Sequence, residues 1–487
     1  MKAKIKNLLE IYKNLSTPAR ASIWFLVCNI LQMGLNVLST PIFTRIMTQE
    51  EFGVTNTYNS WRSILMIFTS LNLSYGVFNN AMVKYEDSKT RDQYVSSMQF
   101  LYGLITFGFF GFYLLNMSWC NDKLDMSTSL VVLLFLDLLC YPALLFWSGR
   151  QRYEFKYKAL VVITFVMSVA YVVFGIIAVL ISEDKAFAKI ASGVVINVVF
   201  CGFFFIYHFI KGKKLFVPKF WKFALAFNIP LIPHYLSEMI LTQSDRIMIT
   251  KFEGEAATAN YSIAYSIVLI MQLVMSAINA SFIPWAYGCL KKKDFKSLRN
   301  MGNMIIILIA GCVFLLMMFV PEIIYIFAGS KYADAVYCIP PIALSIFFMI
   351  LYDLFSTVEF FYAKNIFVMV ASVMAAALNV TLNWYFIPIY GYHAAGYTTL
   401  FCYIMYALGH FVFYKFICKK TLDVKNIYDG KLLLMLSVIM FVITLMVNFV
   451  YGQFIIRYIL AFIVMGIIFA KRNILIEKFK QMKEKDA

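Results

Sequence analysis

The stretch TRIMTQEEFGVTNTYNS at residues 44–60 recurs in diverged form as DRIMITKFEGEAATANYS at residues 245–262. Without a gap, Arg45 aligns with Arg246, an offset of 201 residues, and Gly53 aligns with Gly254. Each copy follows one apolar segment and precedes another. This duplication predicts two similar halves, a plan that many secondary transporters share.

The composition indicates a membrane protein. Of the 487 residues, 62% are hydrophobic and 14% are charged, and the mean hydropathy is +0.75. A soluble chain carries roughly a quarter charged residues. Apolar runs of about 20 residues alternate with short basic loops, which is typical of a polytopic helical membrane protein.

The apolar runs predict an all-α fold of about fourteen transmembrane helices. They lie near residues 21–43, 54–80, 94–115, 127–148, 158–181, 187–210, 220–244, 258–287, 302–327, 334–358, 366–388, 393–417, 432–450 and 453–470. Six spans separate equivalent points of the repeat, so we expect two six-helix lobes in the same orientation, residues 1–210 and 211–420. Residues 421–487 add a further pair of spans and a basic tail.

The basic residues are distributed unevenly between the two sides of the membrane. Most of the 43 Lys and Arg residues fall in the two terminal segments and in the loops on the same side. The positive-inside rule therefore predicts that both termini are cytoplasmic. Basic loops facing anionic lipids explain the net charge of +17 without a nucleic-acid partner.

The sequence offers no cofactor site, metal site or enzyme domain. The nine Cys and four His residues are scattered without metal-ligand spacing, and no phosphate-binding P-loop motif occurs. The longest predicted external loop has only about ten residues, too few for a catalytic domain. We therefore predict a transporter that is not an enzyme, driven by a gradient or by the membrane potential.

Polar side chains form stripes on the first two predicted helices of each lobe. In lipid such side chains need a partner or water, so the stripes predict the walls of a central cleft. Hydrogen bonds to neighbouring helices are the alternative explanation. The candidate cavity residues are Arg62, Asn29, Gln32, Asn72, Gln272 and Asn279. Span 11 adds Ser372, Asn379 and Asn383.

Arg62 is the most informative of these residues, because an arginine deep in a membrane span must face water or a partner. It either lines the cavity or forms a structural ion pair with Glu238 or Asp137. Asp353 and Glu359, in contrast, are expected at the membrane interface.

Four ionisable residues are candidates for ion coupling or gating: His234, Glu238, Asp137 and Asp245. His234 and Glu238 lie one turn apart just after two prolines, which should kink the helix. A hydrogen-bonded pair that supports the kink is equally compatible with this spacing. Arg45 and Arg246 mark the outer ends of spans 1 and 7, as an outer gate or as helix-capping charges.

Three segments resemble the bacterial polysaccharide biosynthesis (O-antigen and capsule) flippases of the multidrug/oligosaccharidyl-lipid/polysaccharide exporter superfamily. They are ASIWFLVCNILQMGLNVLSTPIFTRIMTQEEFGVTNTYNSW (21–61), FNIPLIPHYLSEMILTQSDRIMI (227–249) and NVTLNWYFIPIYGYHAAGY (379–397). The resemblance covers roughly residues 20–420. Many members of the family have twelve spans, so the additional pair departs from that pattern.

The resemblance implies a protein of the bacterial inner membrane that moves an undecaprenyl-pyrophosphate-linked oligosaccharide to the outer leaflet by alternating access. Membrane lipids and other polysaccharide assembly proteins are its implied partners, and Arg62 would suit the pyrophosphate. Three alternatives stay open: a flippase for a peptidoglycan or teichoic-acid precursor, a cation-coupled multidrug exporter of the same fold, and a membrane-bound glycan polymerase or ligase.

Overall fold

The computed structural model describes residues 16–362, 365–473 and 477. These residues form eighteen α-helices and two 3-10 helices, and no strand occurs among them. The α-helices are α1 (Thr17–Ile46), α2 (Gln49–Ser70), α3 (Gly76–Lys84), α4 (Ser88–Leu115), α5 (Met117–Leu124), α6 (Thr128–Tyr153), α7 (Tyr157–Ile181), α8 (Lys185–Gly212), α9 (Pro218–Asn228), α10 (Ile232–Glu253), α11 (Glu255–Lys292), α12 (Phe295–Met318), α13 (Val320–Phe327), α14 (Ile339–Phe361), α15 (Asn365–Tyr390), α16 (His393–Lys420), α17 (Gly430–Val450) and α18 (Phe454–Ala470). The 3-10 helices are Ile229–Leu231 and Ser330–Tyr337.

Every predicted span falls on one of these helices, or on a broken pair of them. Eleven helices in the described part of the chain are long and apolar enough to cross a membrane. The remaining three predicted spans fall on α2 and α10, which are more polar, and on α18, which is only 17 residues long. The predicted all-α polytopic membrane fold is confirmed.

The chain divides into two compact units, residues 1–236 and 237–487. In the first unit, α6 packs mainly against α8, and α7 packs against both α1 and α8. In the second unit, α14 is the central helix and packs against α16, α11 and α12. The lobe boundaries predicted at residues 210 and 420 stay a prediction.

The appended pair α17 and α18 packs against α12 in the second unit. Arg457 of α18 is buried, and its two terminal nitrogens donate to the two carboxylate oxygens of Glu322 at 2.8 and 2.7 Å. The same guanidinium donates to the carbonyl oxygen of Met318 at 2.5 Å. A guanidinium that binds a carboxylate through two nitrogens fixes direction as well as distance, so this contact anchors α18 to the end of α12.

The two copies of the repeated segment break their helices at different places. In the first copy α1 ends at Ile46, and Thr48 starts α2 with a capping box in which Glu51 is the reciprocal partner. The residue aligned with Thr48 is Ile249, which has no side-chain acceptor for a cap. Helix α10 therefore continues to Gly254, whose φ of +87° favours glycine.

The second predicted span, 54–80, is not one continuous helix. Helix α2 ends at Ser70, and Leu71 and Asn72 adopt positive φ angles of 49° and 51° before α3 begins. Asn228 holds this turn, because its Nδ2 donates to the Leu71 carbonyl oxygen at 2.8 Å. Asn72 therefore lies in a turn, and the expectation that it shares a helical stripe with Arg62 is wrong.

The two prolines at 230 and 233 interrupt the seventh span, as expected. The regular α-helix stops at Asn228, continues as the 3-10 turn Ile229–Leu231 and resumes at Ile232. Proline removes a backbone donor and its ring crowds the preceding turn, which accounts for the change of helix type at this point.

Replacing Gly212 with alanine is expected to destabilise the first unit. A Cβ atom at Gly212 would lie 2.3 Å from the backbone oxygen of Asp92 and 2.3 Å from Cβ of Ser96, both on α4. Forcing α8 away from α4 should lower stability by about 1–3 kcal/mol. Thermal unfolding of the purified protein measures the change. Gly202 on the same helix is the matched control, because a Cβ there meets no atom within 4 Å. Gly202→Ala should be neutral or stabilising, and an equal loss in both variants would contradict the close-contact explanation.

Candidate functional site

A polar cluster in the first unit brings four helices together around one buried carboxylate. Arg62 on α2 donates its Nε–H to Asp137 Oδ2 on α6. Asn197 on α8 donates to the other oxygen, Asp137 Oδ1, at 2.6 Å. The Tyr171 hydroxyl on α7 donates in turn to Asn197 Oδ1. We call this set, with Tyr141, the arginine cluster.

Arg62 is a half-buried member of the arginine cluster. Its side chain is 22% exposed, whereas the side chain of Asp137 is 2% exposed. The guanidinium also lies over the ring of Tyr141, 4.5 Å from the ring centroid, which favours a cation. The sequence left Asp137 and Glu238 open as partners of Arg62, and the structure selects Asp137.

The ion pair with Asp137 uses only part of the hydrogen-bonding capacity of Arg62. A guanidinium carries five N–H groups in a planar fork, and Asp137 accepts the one on Nε. The group thus combines a fixed position with a partly exposed positive charge. Such a group can bind an anion that approaches from its exposed side.

A second polar cluster, within the second unit, surrounds Asp245 of α10. This carboxylate is fully buried and accepts three hydrogen bonds from neutral donors on three other helices. The donors are the Tyr261 hydroxyl on α11 at 2.5 Å, Asn383 Nδ2 on α15 at 2.5 Å and the Thr399 hydroxyl on α16 at 2.9 Å. We call this set, with Asn379 and Thr398, the aspartate cluster.

The aspartate cluster extends along α15. Asn379 Oδ1 accepts from Ser244 at 3.1 Å and from Asn383 at 3.3 Å, and Thr398 donates to Asn383 Oδ1. Asn379 and Asn383 are both fully buried. The sequence singled out Asp245, Asn379 and Asn383, but it gave no signal for Tyr261, Thr398 or Thr399. Hydroxyl groups of this kind often hydrogen-bond to their own helix, so their roles depend on which helix faces them.

The repeat shows that the two clusters are not copies of each other. Asp245 aligns with Thr44, which is also fully buried, and Arg62 aligns with Ile263. At these aligned positions the first unit carries a cation, Arg62, where the second unit has Ile263. The second unit carries an anion, Asp245, where the first unit has Thr44. The two copies thus differ in charge at these aligned positions, and the two clusters are suited to different tasks.

The remaining candidate cavity residues occupy different surroundings. Gln32 on α1 is exposed, whereas the side chain of Asn29 lies outside the described residues. Gln272 lines a cavity of about 10 Å³ together with Thr399 and Tyr403, which has room for about one water molecule. Asn279 Nδ2 donates to Asp353 Oδ2 at 2.7 Å. The structure thus brings Gln272 next to Thr399 of the aspartate cluster.

His234 and Glu238 both lie on α10, one turn apart, with Glu238 exposed. Arg45 is in the last turn of α1, and Arg246 is buried seven residues before the end of α10. Both arginines donate to the carbonyl oxygen four residues earlier, at 2.8 Å in each case. The expectation that Arg246 marks the end of its helix is wrong, because α10 lacks a stop signal before Gly254.

One buried acid–base pair was not expected from the sequence. His410 on α16 and Glu359 on α14 are both fully buried, and His410 Nδ1 lies 2.8 Å from Glu359 Oε2. Glu359 lies near the C-terminal end of α14 and is buried within the protein, and its placement at the membrane interface stays a prediction. The two residues are 51 positions apart, and only the packing of α14 on α16 brings them together.

Comparisons with known proteins agree with this architecture. The family described as polysaccharide biosynthesis protein matches residues 19–287, more than half of the chain, and the MatE family matches residues 230–385. A protein of the Lsg locus of Haemophilus influenzae is 29% identical over 166 residues. That alignment covers 32% of this chain and 40% of the length of the relative.

Two solved structures show the same fold. The lipid II flippase MurJ in an inward closed conformation has a TM-score of 0.67 at 15% identity, and the match covers 93% of this chain and 100% of that chain. An inward-facing multidrug resistance MATE family transporter of the MOP superfamily has a TM-score of 0.65 at 12% identity, with 83% and 100% covered. The apolar helices, together with the similarity in fold to membrane flippases and transporters, identify this chain as an integral membrane protein. Since the family match spans more than half of its residues, the chain belongs to the polysaccharide biosynthesis protein family.

Proposed function

We propose that this protein is a flippase that translocates an undecaprenyl-pyrophosphate-linked oligosaccharide across the bacterial inner membrane for surface polysaccharide assembly. It works by alternating access, with both termini in the cytoplasm. Other polysaccharide assembly proteins supply its substrate and use its product. The single observation that carries the proposal is the partly exposed guanidinium of Arg62 on helix α2.

The chemistry of Arg62 fits the pyrophosphate end of such a substrate. A diphosphate presents several charged oxygens that accept charge-assisted hydrogen bonds, and a guanidinium can donate two of them in parallel. Asp137 and Tyr141 hold the guanidinium in place, so less entropy is lost when the anion binds. The family match to residues 19–287 includes the whole arginine cluster.

The aspartate cluster supplies the site for a coupling cation in this proposal. A buried carboxylate with only neutral hydrogen-bond donors carries a large desolvation penalty unless a cation or a proton neutralises it. Asp245 accepts only from neutral donors, because the adjacent Arg246 donates to the Ser262 hydroxyl and the Thr242 carbonyl oxygen instead, whereas Asp137 is already paired with Arg62. His234 and Glu238 are proposed gating residues beside the proline-induced break, and Arg45 and Arg246 are proposed outer-gate residues.

Deletion of the gene is the first test. We expect surface polysaccharide to disappear and the lipid-linked repeat unit to accumulate in the cytoplasmic leaflet, because later assembly steps lack their substrate. Staining of the surface glycan and extraction of the carrier lipid measure both effects. A copy of the gene expressed from a plasmid is the control and should restore the glycan. Normal surface polysaccharide with altered sensitivity to cationic dyes would contradict the proposal and favour a multidrug exporter.

A flippase for another lipid-linked precursor is the second candidate. The observation that favours it is the fold match to the lipid II flippase over 93% of this chain. A peptidoglycan precursor presents the same kind of pyrophosphate to Arg62, so the two candidates differ only in the glycan. Complementation of a strain depleted of its lipid II flippase separates them.

A further inference from the structure

Helix α16 carries a continuous apolar stripe along one exposed face. Its members recur every three or four residues, which places them on a single side of the helix. They are Tyr397, Phe401, Met405, Leu408, Val412 and Phe416, each 39–67% exposed. An exposed stripe of this length on a membrane-spanning helix is a surface for hydrocarbon chains.

The stripe ends in a basic groove at the C-terminal end of α16. Here a cavity of about 540 Å³ lies between the last turns of the helix and residues 423–425. Its apolar lining consists of Val424 and the last two members of the stripe, Val412 and Phe416. The polar lining consists of Lys415, Lys419, Lys425 and Asp423. The groove is therefore continuous with the stripe and has a net charge of +2.

The segment directly after the far wall of the groove, residues 426–428, is held in place by several hydrogen bonds. The Tyr414 hydroxyl accepts from the backbone N–H groups of Ile427 at 2.6 Å and Tyr428 at 2.9 Å. Arg299 of α12 donates to the carbonyl oxygens of Ile427 at 2.6 Å and Asn426 at 2.9 Å. The segment after α16 is thus tied to two helices, and the groove has a defined shape.

The three lysines of the groove lie outside the ion pairs that the described residues form. Among the described residues, none of Lys415, Lys419 and Lys425 forms an ion pair. The C-terminal end of a helix carries about half a negative charge, which offsets part of the positive charge of the lysines. Three lysines exceed that requirement, so the groove can take up an additional anion.

We propose that this groove binds an anionic glycerophospholipid of the surrounding bilayer. The phosphate lies among Lys415, Lys419 and Lys425, and one acyl chain follows the stripe past Val412 and Leu408. A soluble phosphate compound would use the lysines but leave the stripe unoccupied. An anionic lipid matches both features at once, because its charged and apolar parts are arranged in the same order as those of the protein. The proposal does not depend on the transported substrate.

Native mass spectrometry of the full-length protein, released from neutral detergent, is the test. The probe is phosphatidylglycerol, and phosphatidylcholine with identical acyl chains is the comparison lipid. A triple variant, Lys415→Gln, Lys419→Gln and Lys425→Gln, should bind phosphatidylglycerol about 100-fold more weakly, since each lysine contributes roughly a fivefold gain. Asp423→Asn should bind it about fivefold more tightly. Asparagine tolerates the left-handed backbone at this position, where φ is 53°.

The matched control removes three lysines from the end of another helix. Lys291 and Lys292 lie in the last turn of α11 and Lys293 is its C-cap residue. The variant Lys291→Gln, Lys292→Gln, Lys293→Gln has the same net charge as the groove variant. It should retain wild-type lipid binding. Equal losses in the two triple variants would overturn the proposal, as would equal affinity for the two lipids.

Competition experiments identify the source of the phosphate. Glycerol 3-phosphate should not displace the bound lipid, and displacement at comparable concentration would show that the stripe contributes nothing. A polyprenyl pyrophosphate that displaced phosphatidylglycerol at one-tenth of its concentration would assign the groove to the carrier lipid and overturn the assignment to a bilayer phospholipid. Weaker or equal competition supports it.

Discussion

Arg62→Glu is expected to reduce export of surface polysaccharide by more than 100-fold. The substitution removes the guanidinium that we propose binds the pyrophosphate, and it places a second carboxylate beside Asp137. Two like charges at this position repel each other and any incoming pyrophosphate, and Asp137 is left buried without its cation, which is destabilising. Complementation of the deletion strain, with glycan quantified at equal protein levels, is the measurement. Arg62→Lys keeps the charge but loses the fork geometry, so it should retain partial export.

A double variant separates substrate binding from simple structural support. Arg62→Leu with Asp137→Leu removes both charges together, and replacing a buried ion pair by apolar groups is often neutral for stability. If Arg62 binds the substrate, this variant folds but does not export. Normal export by the folded double variant would show that the arginine cluster is only structural. Arg150→Gln, which breaks a pair with Asp92 and Glu154 in the same unit, is the control and should retain export.

Asp245→Asn is expected to eliminate the response of transport to an imposed cation gradient. Asparagine has nearly the shape of aspartate, so the contacts with Tyr261 and Thr399 can remain, but the group no longer carries or exchanges a charge. We expect the translocation rate to fall at least tenfold and to become the same with and without a gradient. Proteoliposomes containing the lipid-linked oligosaccharide, with proton or sodium gradients applied separately, give the measurement.

The control for this variant is another carboxylate in the same unit. Glu322 forms an ion pair with Arg457 at the end of the appended helix pair, outside the aspartate cluster. Glu322→Gln should therefore lower stability without removing the gradient response. A full gradient response in Asp245→Asn would contradict the coupling role of Asp245, whichever ion drives transport.

The sequence alone determined the membrane fold and the positions of its helices. Hydropathy is a local property of about 20 consecutive residues, so the spans could be located without knowing their neighbours. The duplication and the two charged residues of interest, Arg62 and Asp245, were also visible, because a charge in an apolar run is conspicuous. Local rules accounted for the proline-induced interruption near Pro230 as well.

Some helix breaks and helix ends could not be predicted, because their local sequence signals are weaker than the hydropathy signal of the span around them. The turn at Leu71 and Asn72 lies inside an apolar run, and its stabilising contact comes from Asn228, which is 157 residues from Leu71. Helix α10 continues to Glu253 because Ile249 offers no cap where Thr48 does, a difference that the similarity of the two copies did not suggest. Such details shift a side chain from a helical stripe into a turn, as they do for Asn72.

Only the tertiary structure decided which polar groups meet. Asp137 lies 75 residues from Arg62, and Thr399 lies 154 residues from Asp245. Whether such pairs form depends on how each helix is rotated about its axis and which helix it packs against. In hydrocarbon, a polar side chain can be satisfied by a polar group on almost any neighbouring helix. The sequence therefore showed that Arg62 and Asp245 need partners but not which ones. The packing of the helices determined that Arg62 meets Asp137 and that Asp245 meets Tyr261, Asn383 and Thr399.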